Sequence, residues 1–285
     1  MSSEVTARAG EAATSSELEV KLDALGAEIA ALKRVVVAFS GGADSAFLAK
    51  VATDALGREH VLCVTAVSAS LAPEELDDCA ALAGEWGLRW VQVATDELDR
   101  PAYAANGADR CYWCKASLLD ALGPLAEAQR AVVVLGVNVD DLGDHRPGQA
   151  AAAERGARFP LVAAGFTKAE VRAASRTLGL RTWDKPAAAC LASRLPYGTP
   201  VTLGTLAQVA AAESGLRRLG FAQLRVRHYG ELARIELEGD DIGRAVAQRA
   251  AVVEAVRAAG YRYVTVDLEG FRSGNLNAAL DGRRP

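Results

Sequence analysis

The sequence predicts an α/β protein, a doubly wound parallel sheet followed by a smaller C-terminal α+β domain. Three observations predict it. Short apolar runs alternate with helix-length segments over the first two thirds of the chain, the rhythm of βαβ crossovers. The first such run, Val35-Val36-Val37-Ala38-Phe39, leads straight into Ser40-Gly41-Gly42-Ala43-Asp44-Ser45 and a helical pattern. From about Pro196 the order changes to helix, strand, strand, helix, strand. The expected division is a disordered tail over 1–17, a nucleotide-binding domain over 18–196 and a substrate or oligomerisation domain over 197–285.

The elements follow in order. Residues 1–17 are polar and rich in Ala and Ser. Leu18, Val20, Leu22, Leu25, Ile29 and Leu32 then form a roughly helical apolar stripe. Strands are expected at 34–39, 61–67, 88–94 and 131–137, with helices between them at about 44–56, 73–86 and 112–128. Thr167-Lys168-Ala169-Glu170 has capping-box spacing, with Thr167 as N-cap. Beyond Pro196 the expectation is helix 202–219, strands 223–229 and 232–238, helix 241–259 and strand 261–267, a helix pair on an antiparallel or mixed sheet. Open parallel sheets bind ligands at the carboxyl ends of their strands. Here those ends carry Ser40-Gly41-Gly42, Ser68, Thr95-Asp96 and Gly136-Val137-Asn138.

Composition narrows the functional classes. The 285 residues carry 36 acidic and 32 basic side chains, a net charge of −4, so no global basic field holds a long nucleic acid. The start of the chain lacks the apolar core of a signal peptide and no run approaches a membrane span, so a cytoplasmic protein without a membrane partner is expected. Five cysteines are an odd number and argue for thiols or ligands over a disulfide framework.

The 40–45 loop points to ATP. Gly41 and Gly42 let backbone amides approach a phosphate, and the following helix N-terminus favours an anion. The hydroxyls of Ser40 and Ser45 can donate to phosphate oxygens, and Asp44 can hold Mg²⁺. No lysine follows the glycines as a Walker loop requires, so the loop does not suggest cleavage at the γ-phosphate. The pattern resembles the PP-loop pyrophosphatases, of adenine nucleotide alpha hydrolase-like fold, which grip the pyrophosphate of ATP and transfer AMP to a substrate oxygen.

Cys63 and Cys79 fall in a strand and a helix pattern and read as small buried hydrophobes. Cys111-Tyr112-Trp113-Cys114 is a CxxC, and Cys190 stands 76 residues after Cys114. On ligand chemistry the three suit a redox dithiol, a zinc site completed by His145, or three thiolates of a [4Fe–4S] cluster with one open iron.

Three further stretches make a resemblance specific. They are Gly136-Val137-Asn138-Val139-Asp140-Asp141 with Asp144-His145-Arg146, then Asp184-Lys185-Pro186 through Cys190-Leu191-Ala192-Ser193-Arg194, and then Arg225-Val226-Arg227-His228 with Arg234-Ile235-Glu236. With the opening loop they resemble, over about 18–277, the LarE family of ATP-dependent sulfurtransferases of nickel-pincer cofactor biosynthesis, in its three-cysteine form. The resemblance implies pyridinium-3,5-biscarboxylic acid mononucleotide as substrate, activation of each carboxylate as an acyl-adenylate, and thiocarboxylate products used by lactate racemase-type enzymes. It implies sulfur delivered from Cys190, or from a [4Fe–4S] cluster held by Cys111, Cys114 and Cys190, and a homo-oligomer, by family a hexamer.

By motif match Ser193, Arg225 and Arg227 bind the substrate phosphate, and Glu213 and Glu236 lie near sulfur transfer. Arg225 and Arg227 alternate along a strand, so both face one side as an anion clamp. Lys115, after the CxxC, is expected to act on thiolates or adenylate. Asn138, Asp141 and Asp144 share a loop suited to metal or phosphate. The rival readings are a PP-loop tRNA thiolation enzyme, a PP-loop amidating synthetase, which leaves the three cysteines without a role, and a non-catalytic nucleotide-binding protein with a structural zinc clip.

Overall fold

The structure, a computed structural model, describes residues 15–143, 147–186 and 189–272. Residues 1–14, and with them most of the expected tail, lie outside the described residues; Ser15 already opens a helix. Asp144, His145 and Arg146, expected as loop ligands, also lie outside them. Two compact units are present. The first comprises 1–66, 75–94 and 118–188, and the second 67–74, 95–117 and 189–285.

In chain order the elements are α1 (Ser15–Leu32), β1 (Val35–Ala38), α2 (Ala43–Leu56), β2 (Val61–Val67), α3 (Pro73–Glu85), β3 (Trp90–Ala94), α4 (Pro101–Ala104) and α5 (Arg110–Gln129). They continue with β4 (Val132–Leu135), α6 (Pro147–Glu154), α7 (Pro160–Ala163), α8 (Lys168–Thr177) and α9 (Leu203–Arg218). The chain closes with β5 (Leu224–Tyr229), β6 (Leu232–Leu237), α10 (Gly239–Ala247), α11 (Arg249–Ala258) and β7 (Tyr263–Val266). No described helix is long and apolar enough to cross a membrane.

The first unit is built on a parallel four-stranded sheet in the order β3-β2-β1-β4. β1 pairs in parallel with β2 on one side and β4 on the other, Val36 facing Leu62 and Val133. Its uninterrupted valine run is explained by burial on both faces. Val35, Val37 and Phe39 join Leu25, Ile29, Phe47, Leu48 and Val171 in one core, while Val36 joins Leu119, Leu122, Leu135 and Ala152 in another. The chain winds outward from β1 to β3 and then returns to add β4 on the opposite side. That reversal makes the carboxyl ends of β1 and β4 the topological switch point. α8 starts where the sequence places it: Thr167 Oγ1 accepts from the Glu170 amide and Glu170 returns a bond to the Thr167 amide.

In the second unit β5 and β6 are antiparallel and β7 joins β6 in parallel, a mixed sheet. Leu224, Val226, Ala233, Ile235 and Leu237 pack one face against Ala212 and Leu216 of α9, Ala245 of α10, and Val252 and Val256 of α11. The helix expected over 241–259 is two helices, bent at Gln248 (φ −96°, ψ 21°). No Gly or Pro marks the bend, so packing on the sheet sets it and local propensity does not.

Segments 67–74 and 95–117, which the sequence grouped with the nucleotide-binding domain, cluster with the C-terminal part of the chain. The reason is a second small core and its backbone bonds. Tyr103, Leu191, Leu195, Val201, Leu206 and Val209 are buried together. The Leu191 amide donates to Ser70 O at 2.8 Å and the Val201 amide to Ala104 O at 2.8 Å.

Candidate active site

At the carboxyl end of β1 the chain turns through Gly41 in the left-handed region (φ 66°), a conformation that favours glycine. A Cβ there would lie 2.9 Å from Cys79 Sγ. Gly42 is the N-cap of α2 and no side chain caps the helix, which leaves its first amides to an external acceptor. The two serines close the loop: Ser40 Oγ lies 3.0 Å from Ser45 Oγ, and Ser45 Oγ donates to Gly42 O at 3.2 Å. β4 delivers Gly136 against the same turn, where a Cβ would be 2.8 Å from the Asp44 carbonyl carbon and the Ser45 nitrogen.

Asn138 is buried and donates through Nδ2 to Asp44 Oδ1 at 2.9 Å. Its own amide donates to Asp141 Oδ2 at 3.1 Å. Burial first, and then Asp141, hold the Asp44 carboxyl above its usual range against the opposing Asn138 bond and Lys168. A divalent cation reverses that balance. The donor set suits Mg²⁺, which takes one or two carboxylates and draws its remaining ligands from phosphate and water. Of the residues expected to bind ATP, the structure gathers Ser40, Gly41, Gly42, Asp44, Ser45, Gly136 and Asn138 in one place. Ser68 instead belongs to the second unit, where its hydroxyl donates to the buried Glu97.

Cys111, Cys114 and Cys190 all fall in the second unit. Cys111 and Cys114 lie on the first turns of α5, three residues apart and so on one face, with Cys111 exposed. Burial first, and then Cys190, push the Cys114 thiol up to about 12, and Cys111 adds to the effect. The sulfurs therefore share a neighbourhood, although no described trio of His, Cys, Asp or Glu is grouped tightly enough to hold a single metal ion. The three are all sulfur, a donor type that suits iron–sulfur ligation and zinc alike, and His145, the expected fourth zinc ligand, lies outside the described residues. Lys115, beside Cys114, is half-buried and enters the surroundings of that thiol as the opposing positive charge.

Arg110, which the sequence reading passed over, is buried between the CxxC and the Cys190 segment. Its Nη1 donates to Asn106 Oδ1 at 2.6 Å and to Ala192 O at 2.8 Å. Burial opposes its charge, yet Cys190 and Cys111, followed by Tyr103 and Tyr197, hold it above the ordinary arginine range. Asn106, left-handed at φ 56°, turns its Nδ2 to Pro196 O and Thr199 O, both at 2.8 Å. The only sequence signal was an arginine abutting the first cysteine.

The 189–193 backbone carrying Cys190 is held by two arginine–glutamate pairs. Arg194 Nη1 donates to Ala189 O at 2.6 Å and Cys190 O at 3.2 Å, while its Nε and Nη2 take both oxygens of Glu213 at 2.8 and 3.1 Å. Arg227 Nη1 donates to Ser193 O at 2.8 Å and makes a bidentate pair with Glu236 at 2.8 and 2.9 Å. Arg225 and Arg227 alternate with the core residue Val226 and so share the other face of the sheet. Their circumstances differ. Among the described residues Arg225 meets no carboxylate: its guanidinium lies 4.6 Å from the Phe271 ring, and burial, then Arg194 and Arg227, push its pKa down to about 10. Ser193 Oγ accepts from Arg194 Nη1 at 3.1 Å.

Comparison with known proteins decides the family. A protein of Lactiplantibacillus plantarum named pyridinium-3,5-bisthiocarboxylic acid mononucleotide synthase is 41% identical over 92% of this chain and 96% of its own. The chain belongs to the LarE family. An uncharacterized protein of Synechocystis sp. is 48% identical over 92% of this chain and 99% of its own. The NAD synthase family profile matches residues 18–109, the part of the chain that holds the 40–45 loop. A shorter stretch of 75 residues is 44% identical to a glutamine-dependent NAD(+) synthetase of Rhodobacter capsulatus, covering 26% of this chain and 13% of that one.

Proposed function

We propose that the protein is an ATP-dependent sulfurtransferase that converts the carboxylates of pyridinium-3,5-biscarboxylic acid mononucleotide to thiocarboxylates in nickel-pincer cofactor biosynthesis. The observation that carries this reading is the near full-length identity to a synthase named for that product, on a chain that has both the 40–45 loop and Cys190.

The chemistry divides into two halves. A carboxylate resists a nucleophile until one oxygen becomes a good leaving group. In the first half a substrate carboxylate oxygen attacks the α-phosphorus of ATP, and pyrophosphate leaves. The amides at the start of α2 and the hydroxyls of Ser40 and Ser45 hold the departing anion, and Asp44, oriented by Asn138, is the carboxylate that would hold Mg²⁺. Mg²⁺ supplies charge neutralisation there. In the second half a sulfur nucleophile attacks the acyl carbon and AMP leaves. Arg225, which has no carboxylate ion pair among the described residues, is the residue for the substrate phosphate, assisted by the Ser193 hydroxyl. Arg227, Glu213 and Glu236 serve the same half by holding the backbone around Cys190.

Two sulfur routes are open to these residues. If Cys190 is the donor, its Sγ forms a thioester with the acyl group. A base then removes the Cα proton, the Cβ–Sγ bond breaks, and thiocarboxylate leaves behind dehydroalanine. Alternatively Cys111, Cys114 and Cys190 would hold a [4Fe–4S] cluster, which supplies a site for an exchangeable sulfide and spares the cysteine. Peptide mass spectrometry after turnover with ATP and the dicarboxylate separates them. A loss of about 34 Da at Cys190, the mass of H₂S, marks sacrifice; intact Cys190 with thiolated product marks the sulfide route. ATP left unsplit and no thiolated product would sink the proposal.

A further inference from the structure

The phosphate loop has no lysine of its own in the 40–45 stretch, yet a lysine reaches it from 144 residues away in sequence. Lys185 Nζ donates to the Gly41 carbonyl oxygen at 3.1 Å, to Glu75 Oε2 at 2.8 Å and to Asp78 Oδ2 at 2.6 Å. These acceptors use all three donors of the ammonium. The surroundings fix it further. Asp78 Oδ1 is taken by Arg181 Nη2 at 2.7 Å, which is itself paired with Glu85 at 2.8 Å. The backbone of Lys185 is tied as well, its amide to Thr182 O at 3.1 Å and its carbonyl to Arg172 Nη2 at 3.3 Å. Burial works against the charge, but the bonds from Asp78 and Glu75 hold the lysine above its ordinary range.

The consequence comes from the peptide plane. In a trans peptide the C=O of one residue and the N–H of the next point in opposite directions. The bond from Lys185 to Gly41 O therefore directs the Gly42 N–H away from the ammonium. Flanked by two glycines, this peptide has little steric resistance to turning over. Turned over, it would offer a phosphate a carbonyl oxygen in place of a donor.

We propose that Lys185 is the positioning residue of the phosphate loop: by binding the Gly41 carbonyl it keeps the Gly41–Gly42 peptide in the orientation that presents the Gly42 N–H to an anion. The inference rests on reading this loop as the ATP site. It explains why Lys185 spends one of its three bonds on a backbone oxygen when two carboxylates already neutralise it.

The test uses the full chain, with Lys185→Met and Lys185→Arg assayed by ATP–pyrophosphate exchange in the presence of the dicarboxylate mononucleotide. Lys185→Met should raise the KM for ATP about tenfold or more, the worth of one charge-assisted hydrogen bond, with kcat changed by less than about threefold. Lys185→Arg should recover most of the loss. A folded methionine variant with wild-type KM overturns the inference, as does an equal fall in kcat and kcat/KM for both variants, which marks a merely structural role. A second readout does not depend on the variants folding. Titration of the wild-type protein with pyrophosphate should move the Gly42 amide resonance, and pyrophosphate that binds calorimetrically yet leaves this resonance in place also overturns it. Wild-type protein that neither binds ATP or pyrophosphate nor supports exchange instead removes the ATP reading itself.

Discussion

Arg225 and Arg227 stand two residues apart on one face of β5, and the structure gives them opposite energetics. Arg227 is 1% exposed and its partner Glu236 is fully buried, joined by two bonds, with a third from Arg227 to Ser193 O. Replacing Arg227 with methionine strips the fully buried Glu236 of its bidentate partner, although Arg234 stays at 3.1 Å. Breaking a buried pair in this way costs about 3–5 kcal/mol. Arg225→Met removes a desolvated guanidinium that has no carboxylate partner among the described residues. It forfeits a cation–π contact with Phe271 of about 0.5–2 kcal/mol, and relief of the desolvated charge offsets that loss, so the net change in stability should be within about 1 kcal/mol.

Amide hydrogen exchange on peptides spanning 224–237 reads this local stability, and calorimetric titration with the dicarboxylate mononucleotide reads binding. Arg227→Met should accelerate exchange by about 10²–10³-fold. Arg225→Met should leave exchange near wild type and weaken binding of the phosphate-bearing substrate by about tenfold or more. Native exchange in Arg227→Met, or faster exchange with undiminished binding in Arg225→Met, would refute the assignment of the first to scaffold and the second to substrate.

Three further outcomes follow from named contacts. Gly136→Ala should abolish ATP–pyrophosphate exchange with the second unit still folded by amide exchange, because its Cβ meets the Asp44–Ser45 backbone at 2.8 Å and no flexible side chain can yield there. His228, buried and 3.1 Å from the Tyr261 hydroxyl, has its pKa lowered by burial from 6.5. The unfolded chain then takes up a proton before the folded one does, so stability is full above pH 6.5 and falls as pH drops below it. His228→Asn should flatten that slope in denaturant titrations between pH 7 and about pH 5. In metal-free protein at about pH 8, iodoacetamide should label the exposed Cys111 before the half-buried Cys114, whose thiol is pushed up to about 12. Equal labelling would contradict that environment.

The parallel sheet was legible because its signals are local: valine runs bounded by turn residues, and a capping box at Thr167 that forms as spelled. The phosphate loop was legible because glycines in sequence must be neighbours in space. Three features were not. The bend at Gln248 carries no breaker residue. The grouping of 67–74 and 95–117 with the C-terminal part depends on contacts such as Tyr103 with Leu191 and Leu195, which no periodicity announces. Lys185, Arg110 and Arg194 find partners across chain separations of up to 144, 82 and 19 residues, and charge type alone names no partner. The Arg-x-Arg pattern put two guanidiniums on one face, but the strand register sets Glu236 opposite Arg225 while its carboxylate pairs with Arg227, so only the side-chain geometry reveals which arginine is already neutralised.

That neutralisation bears on what a buried carboxylate is for in this fold. Glu213 and Glu236 are both fully buried and each binds an arginine through both oxygens. Each of those arginines spends its remaining nitrogen on carbonyls of the 189–193 segment, Ala189 and Cys190 for Arg194 and Ser193 for Arg227. A carboxylate with both oxygens on one guanidinium is committed to holding that side chain in place. Its contribution on the proposed reading is therefore geometric: it fixes the guanidinium, which fixes the backbone, which sets where Cys190 Sγ can reach. Arg110 adds a third hold through Ala192 O. A segment bonded at four of its five carbonyls keeps its place, and on the proposed reading that lets Cys190 gain and lose covalent partners without its backbone shifting.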